Sequence, residues 1–185
     1  MNHIFRHIYQ LSIEKFQKLN DKSHMARVYH NIGMLYTRMK EYYLALENFN
    51  HSITLSIENQ YLSNCAISYI GKAYIYTKLK NLPLADAFTD KAMEFACKLN
   101  DTLSIADIYR IKGIIQSNLN NFELSEEFFE NSIRLNDDFE SKFNKAESDQ
   151  ELGELLNQKN RKDEAEVHLN SAGQIFKDIK NPNDN

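Results

Sequence analysis

The chain has 185 residues, 42% hydrophobic and 26% charged, with a net charge of −4, which fits a soluble globular protein and excludes a disordered one. Only five Gly and two Pro exclude a turn-rich β-sandwich and favour long helices. No stretch approaches the ~18 uninterrupted apolar residues of a spanning helix, and the first twenty residues lack the apolar core of a signal peptide. Charge is unevenly shared: residues 1–120 hold 14 Lys+Arg and 10 Asp+Glu, residues 121–185 hold 8 and 16, so the two ends offer different electrostatic surfaces.

Taken in chain order, residues 3–19 form an amphipathic helix. Ile13 and Tyr9 lie forty positions before Ile53 and Phe49, so this helix reads as the second half of a truncated unit. Four units follow, at about 22–60, 61–100, 101–140 and 141–180. They are defined by columns of small residues in phase at forty: Ala26, Ala66, Ala106, Ala146; Gly33, Ala73, Gly113, Gly153; Ala45, Ala85, Ser125, Ala165; Ser52, Ala92, Ser132, Ala172. Within the first unit Tyr29, Ile32, Gly33 and Tyr36 make one helical stripe, and Leu44, Ala45, Asn48, Phe49, Ser52 and Ile53 make the next. Lys40-Glu41, Lys80-Asn81, Asn120-Asn121 and Asn160-Arg161 fall between stripes as turns, and Pro83 opens a second helix where its missing N–H does no harm. Small residues let two helix axes approach while a neighbouring Tyr or Leu fills the groove. Each unit is therefore a helix pair that buries its apolar face only by stacking on the next.

The stretch NIGMLYTRMKEYYLALENF resembles the tetratricopeptide repeat, a resemblance strong over 26–59, clear over 66–99 and 106–139, and weak over 146–179, where Asp149, Lys159, Lys162 and Glu164 replace apolar positions. It implies an all-α fold, a right-handed α-solenoid of about nine helices: four antiparallel pairs plus a leading helix. The 40-residue unit is similar to those of kinesin light chains and bacterial peptide-sensing regulators. With six residues more than the usual 34, the second helix is expected to be longer by more than a turn. HEAT and armadillo repeats share the length, but their mid-helix prolines are missing. No polar closing helix follows Phe176 and Ile179 before Pro182, so a segment of a longer protein is expected. The rivals are a homodimer through uncapped array ends, or a small protein whose first helix is the cap.

Catalytic signatures are absent: no nucleophile–base motif, phosphate loop or HExxH, and neither an enzyme nor a cofactor is expected. His3 and His7 have i, i+4 spacing but no third ligand, and read as a solvated pair rather than a metal site. Glu123, Glu126, Glu127 and Glu130 read as a solvated helix face. Cys65 and Cys97 lack metal or CxxC spacing and read as reduced packing thiols, in keeping with a cytoplasmic location. Gly71 reads as a packing residue.

By the resemblance, the first helices line a concave groove that takes a peptide or a partner helix. Its candidate residues are Arg27, His30, Asn31, Met34 and Arg38; Ile67, Ile70, Tyr74 and Lys78; Arg110, Ile111, Ile114 and Asn118, with Asp107 beside them; then Glu151 and Glu154, with Glu147. Asn31 matches the residue that many long-repeat relatives use to hold a ligand's backbone amide; its successors Gly71, Ile111 and Glu151 break the series. The expected partner is an amphipathic protein segment, acidic toward the first unit and basic toward the fourth. The expected function is an interaction scaffold or adaptor; the alternative is a peptide-sensing domain that controls a fused DNA-binding or signalling domain. RNA binding is disfavoured because the basic residues are interleaved with acidic ones and no base-reading pattern recurs.

Overall fold

The computed structural model describes residues 2–180, with side chains from residue 7 onward except residue 10. The side chain of His3, one of the two histidines read as a solvated pair, and the whole of Pro182 therefore lie outside what is described. Among the described residues there are nine α-helices and no strand: α1 (Asn2–Lys18), α2 (Lys22–Arg38), α3 (Tyr42–Glu58), α4 (Leu62–Lys78), α5 (Leu82–Leu99), α6 (Thr102–Asn118), α7 (Phe122–Asp138), α8 (Lys142–Gln158) and α9 (Lys162–Lys180). They form two compact units, residues 1–100 with α1 to α5 and residues 101–185 with α6 to α9.

The backbone repeats every twenty residues, half the sequence period. Asn20, Lys40, Gln60, Lys80, Asn100, Asn120, Glu140 and Asn160 all have positive φ, between 51° and 64°. Seven of them sit inside a double hydrogen bond that ends the preceding helix. At the α2–α3 turn, Lys40 N–H donates to Thr37 C=O at 3.0 Å and Glu41 N–H to Tyr36 C=O at 2.9 Å. The same two bonds recur as Lys80 to Thr77 with Asn81 to Tyr76, and as Asn160 to Asn157 with Arg161 to Leu156. This pairing satisfies carbonyls that a helix end leaves open. The residue after the left-handed one is already the N-cap of the next helix, and Asp21, Asn81 and Asp101 accept the N–H three residues on with their side chains. Within each unit three connecting residues reverse the chain, so helices that follow one another in the same unit run antiparallel.

Helix length departs from expectation. The helices of a pair are nearly equal, 17 and 17 for α2 and α3, 17 and 18 for α4 and α5. The extra residues of the long unit are shared by both helices, because each helix ends at the same left-handed signal.

The small-residue columns are the packing seams. Ala26, Ala45, Ala66, Ala85, Ala106, Ala146 and Ala165 are wholly buried, as are Ser52, Ser125 and Ser132. In the first unit the fully buried ring of Phe49 on α3 lies between Gly33 of α2 and Gly71 of α4. A methyl on Gly33 would come within 2.7 Å of that ring, and one on Gly71 within 2.5 Å. Gly71 thus serves packing: it admits a ring from the preceding pair. In the second unit Phe129 of α7 packs on Gly113 of α6 in the same manner, at 2.6 Å from the added methyl. Buried serines add directional links between successive pairs, Ser52 with Ser68 at 3.0 Å and Ser132 with Ser148 at 2.8 Å.

Cys65 is buried, and burial pushes its thiol up, whereas Cys97 is exposed and does not pack as expected. The acidic face of α7 is only partly solvated. Glu126 accepts from Arg161 at 2.6 Å and from Lys159 at 3.0 Å. Burial alone would raise its carboxyl, but these two cations outweigh it and hold it below the usual range.

Candidate functional site

In the first unit α2 and α4 pack side by side. His30 Nδ1 lies 3.0 Å from Ser68 Oγ, which meets Ser52 on α3. The ring of His30 also rests 5.5 Å from that of Phe49. His30 is therefore a packing residue, and burial holds its imidazole down to about 4, so it is neutral near pH 7. On its flank Arg27, Asn31, Met34 and Arg38 are exposed. Their spacing of four, three and four residues places them on one helix face. Arg27 and Arg38 form no ion pair with any described residue. On α4, Ile67 and Tyr74 are half-buried and Lys78 is exposed, its Nζ 4.8 Å from the centre of the Tyr74 ring.

Three groove candidates prove to be core. Ile70 is 8% exposed, Ile111 0% and Ile114 6%. First helices have neighbours on more than one side, so an apolar position beside the main stripe is absorbed by packing rather than left for a partner.

In the second unit the face of α6 and α8 is occupied by its own polar network. Arg110 Nη2 meets Glu147 at 3.1 Å, while its buried Nε has no partner among the described residues. Asp107 accepts from Asn144 at 3.3 Å. Burial, aided by Glu147 and Asp101 and opposed by Arg110, pushes the Asp107 carboxyl up to about 6. Asn118 turns its amide back to Ile114 C=O at 2.7 Å, and Glu154 accepts from Gln150 at 2.9 Å. Glu151 is half-buried. The acidic end foreseen for the groove is thus partly neutralised from within: Arg110 already answers Glu147.

A cluster that sequence reading left unassigned lies between α8 and α9. Buried Asp149 accepts from Ser171 at 3.0 Å and pairs with His168 Nδ1 at 2.8 Å. Serine bonds the carboxylate and not the imidazole, so this is no nucleophile–base relay. It replaces an aromatic contact. Tyr69 with Phe88 and Tyr109 with Phe128 occupy the corresponding columns in the second and third pairs, and Asp149 with His168 makes the equivalent link by a hydrogen bond. Among the described residues no three His, Cys, Asp or Glu side chains are placed to hold a metal ion. No described helix is long and apolar enough to cross a membrane.

Stacked helix hairpins with a periodic small-residue seam define a helical-repeat protein, a class that works through extended surface. Residues 26–56 and 106–139 match the family model of the tetratricopeptide repeat, one match in each unit, over α2–α3 and α6–α7. No curated protein matches the chain in sequence. The crystal structure of BtubC (BKLC) from P. vanneervenii is similar over 95% of this chain and 74% of its own, with a TM-score of 0.71 at 17% identity. A MamA RS-1 ArsTM double mutant is similar over 96% of this chain and 95% of its own, with a TM-score of 0.53 at 16% identity. At such identities the likeness is one of fold. The chain thus carries tetratricopeptide repeats over residues 26–56 and 106–139, repeats that serve in general as protein-interaction scaffolds, within a helical-repeat fold like that of its solved neighbours.

Proposed function

We propose that the first unit binds an extended or helical segment of a partner protein along the exposed face of α2 and α4, and that the chain acts as an adaptor through it. The observation that carries this reading is the face of α2: Arg27 and Arg38, which meet no carboxylate among the described residues, bracket Asn31 and the exposed Met34. The half-buried Ile67 and Tyr74 and the exposed Lys78 extend it on α4. Residues 1–100 hold 12 Lys+Arg against 8 Asp+Glu, whereas residues 101–185 hold 10 against 18, so an acidic segment is drawn to the first unit and away from the second. Met34, Ile67 and Tyr74 supply apolar anchors, and Asn31 can both donate to and accept from a peptide backbone. Selection of peptides against the whole chain tests this. Apolar sequences carrying Asp or Glu are expected, and Arg27→Glu with Arg38→Glu should weaken them at least about tenfold, a loss of roughly 1.4 kcal/mol. Selection of basic or charge-indifferent peptides, or unchanged affinity in the reversed variant, would refute it. Met34→Asp is the companion apolar test, because Ile114 is core and its replacement by a charge would unfold the second unit.

A further inference from the structure

One face of α9 continues the packing seam of the repeat without being covered by any described residue. In the first unit Phe49 of α3 has Gly33 on one side and Gly71 of the next pair on the other, and Ser56 on the same helix is wholly buried. In the second unit Phe129 and Asn136 of α7, which meets α8 through Ser132 and Ser148, are buried in the same way. On α9 these two columns hold Leu169 and Phe176. Leu169 lies on Gly153 of α8, where an added methyl would come within 2.7 Å of it, and Phe176 meets Phe143 edge-on at 5.8 Å. Both nevertheless stay half-exposed. Between them is Gly173, at the column of Ile53 and Ile133, and a methyl added there would meet nothing within 4 Å. Leu169, Gly173 and Phe176 follow one another at four and three residues, the spacing of a seam between two helices. Glu166 and Lys180 prolong the stripe at its two ends; both are exposed, and neither forms an ion pair with any described residue.

We infer that this face binds the same face of a second copy of the chain, the two α9 helices running antiparallel about a two-fold axis at Gly173. Charge sets the register. Residues equally far from Gly173 on either side meet across such an axis, so Glu166, seven residues before it, faces Lys180 of the second copy, seven residues after it, and the contact is returned. That reciprocity is what a two-fold interface requires. A parallel arrangement would set Glu166 on Glu166 and Lys180 on Lys180, which like-charge repulsion opposes. Leu169 of one copy and Phe176 of the other come together near the axis, and Gly173 lets the helices approach, as Gly33 and Gly71 admit Phe49. One helix from each copy makes an interface at the low end of specific contacts, below about 1,200 Å², so the dimer is weak and depends on concentration.

Sedimentation velocity of the full chain, taken up to about 1 mM to reveal a weak association, should show monomer giving way to dimer. Glu166→Lys and Lys180→Glu should each weaken the dimer at least about tenfold. An equimolar mixture of the two variants should associate again, because each supplies the charge that the other lacks. Both positions are exposed, and circular dichroism confirms that the variants are folded. A chain that stays monomeric throughout, a dimer unmoved by either reversal, or a mixture no more associated than the separate variants would overturn the proposal. The face is distinct from that of α2 and α4, so its failure would leave the acidic-peptide reading standing, and the converse holds.

Discussion

Replacing Gly71 by Ala sets two well-known effects against each other in one side chain. Ala is the better helix former by about 0.8–1.0 kcal/mol, so an unobstructed site would gain stability. Here the new methyl would stand 2.5 Å from Phe49 Cζ and 2.8 Å from Cε2, whereas carbon atoms rest at about 3.5–4.0 Å. The ring is fully buried and already meets Gly33 on its other side, where an added methyl would lie at 2.7 Å. It has nowhere to retreat. Overpacking of this kind costs about 1–3 kcal/mol, which exceeds the propensity gain, so a net loss of roughly 1–2 kcal/mol is expected. Gly173 is the control: an added methyl there meets nothing within 4 Å, and Gly173→Ala should gain close to the full propensity difference. Thermal and urea unfolding followed by circular dichroism reads both, as shifts of midpoint, because repeat proteins need not unfold in one step. Phe49→Leu should partly rescue Gly71→Ala, with coupling visible in a double-mutant cycle. If Gly71→Ala raises the midpoint as Gly173→Ala does, Phe49 is not the wedge between successive pairs.

Other consequences follow from the turns and the buried titratable groups. Lys40, Gln60, Lys80 and Glu140 hold left-handed backbone without the tolerance of Gly or Asn; changing Lys40 or Glu140 to Gly should raise the unfolding midpoint by the equivalent of about 1 kcal/mol, and a lowered midpoint would contradict the turn geometry. Stability should also depend on pH through two groups of opposite sign. His30 titrates near 6.5 when unfolded and at about 4 when folded, so its contribution is intact above 6.5 and is lost as pH falls through that window towards 4. Asp107 moves from 3.8 to about 6 on folding, so its contribution is intact below 3.8 and is lost as pH rises through 6. His30→Gln should therefore flatten the acid-side loss, and Asp107→Asn should stabilise by about 1–3 kcal/mol at pH 7 but not at pH 4; melting temperatures across pH 4–8 decide both.

Much of the fold is legible in the sequence because small residues report helix proximity directly. Ala26, Ala45 and Gly33 mark the seams without knowledge of any partner. The turns were half legible: the forty-residue columns pick out Lys40, Lys80, Asn120 and Asn160, but the intervening left-handed residues at Gln60, Asn100 and Glu140 carry no common side chain. Equal helix lengths follow from those extra turns and are no easier to read from the sequence than the turns are. The site was less legible. Helical spacing places Ile70, Ile111 and Ile114 beside the main stripe, yet it cannot say that neighbouring helices close over them. His30 looks like a surface residue until Ser68, thirty-eight positions on, is brought against it.

The most direct test of the proposed interaction is to bind an acidic, apolar peptide selected on the whole chain and map its contact by NMR, with backbone and methyl shifts assigned. Binding along the first unit should perturb Asn31, Met34, Ile67 and Tyr74 together, and titration with salt should weaken it as Arg27 and Arg38 are screened. Perturbations gathered instead on α5 or α9, with those four residues unmoved, would contradict it.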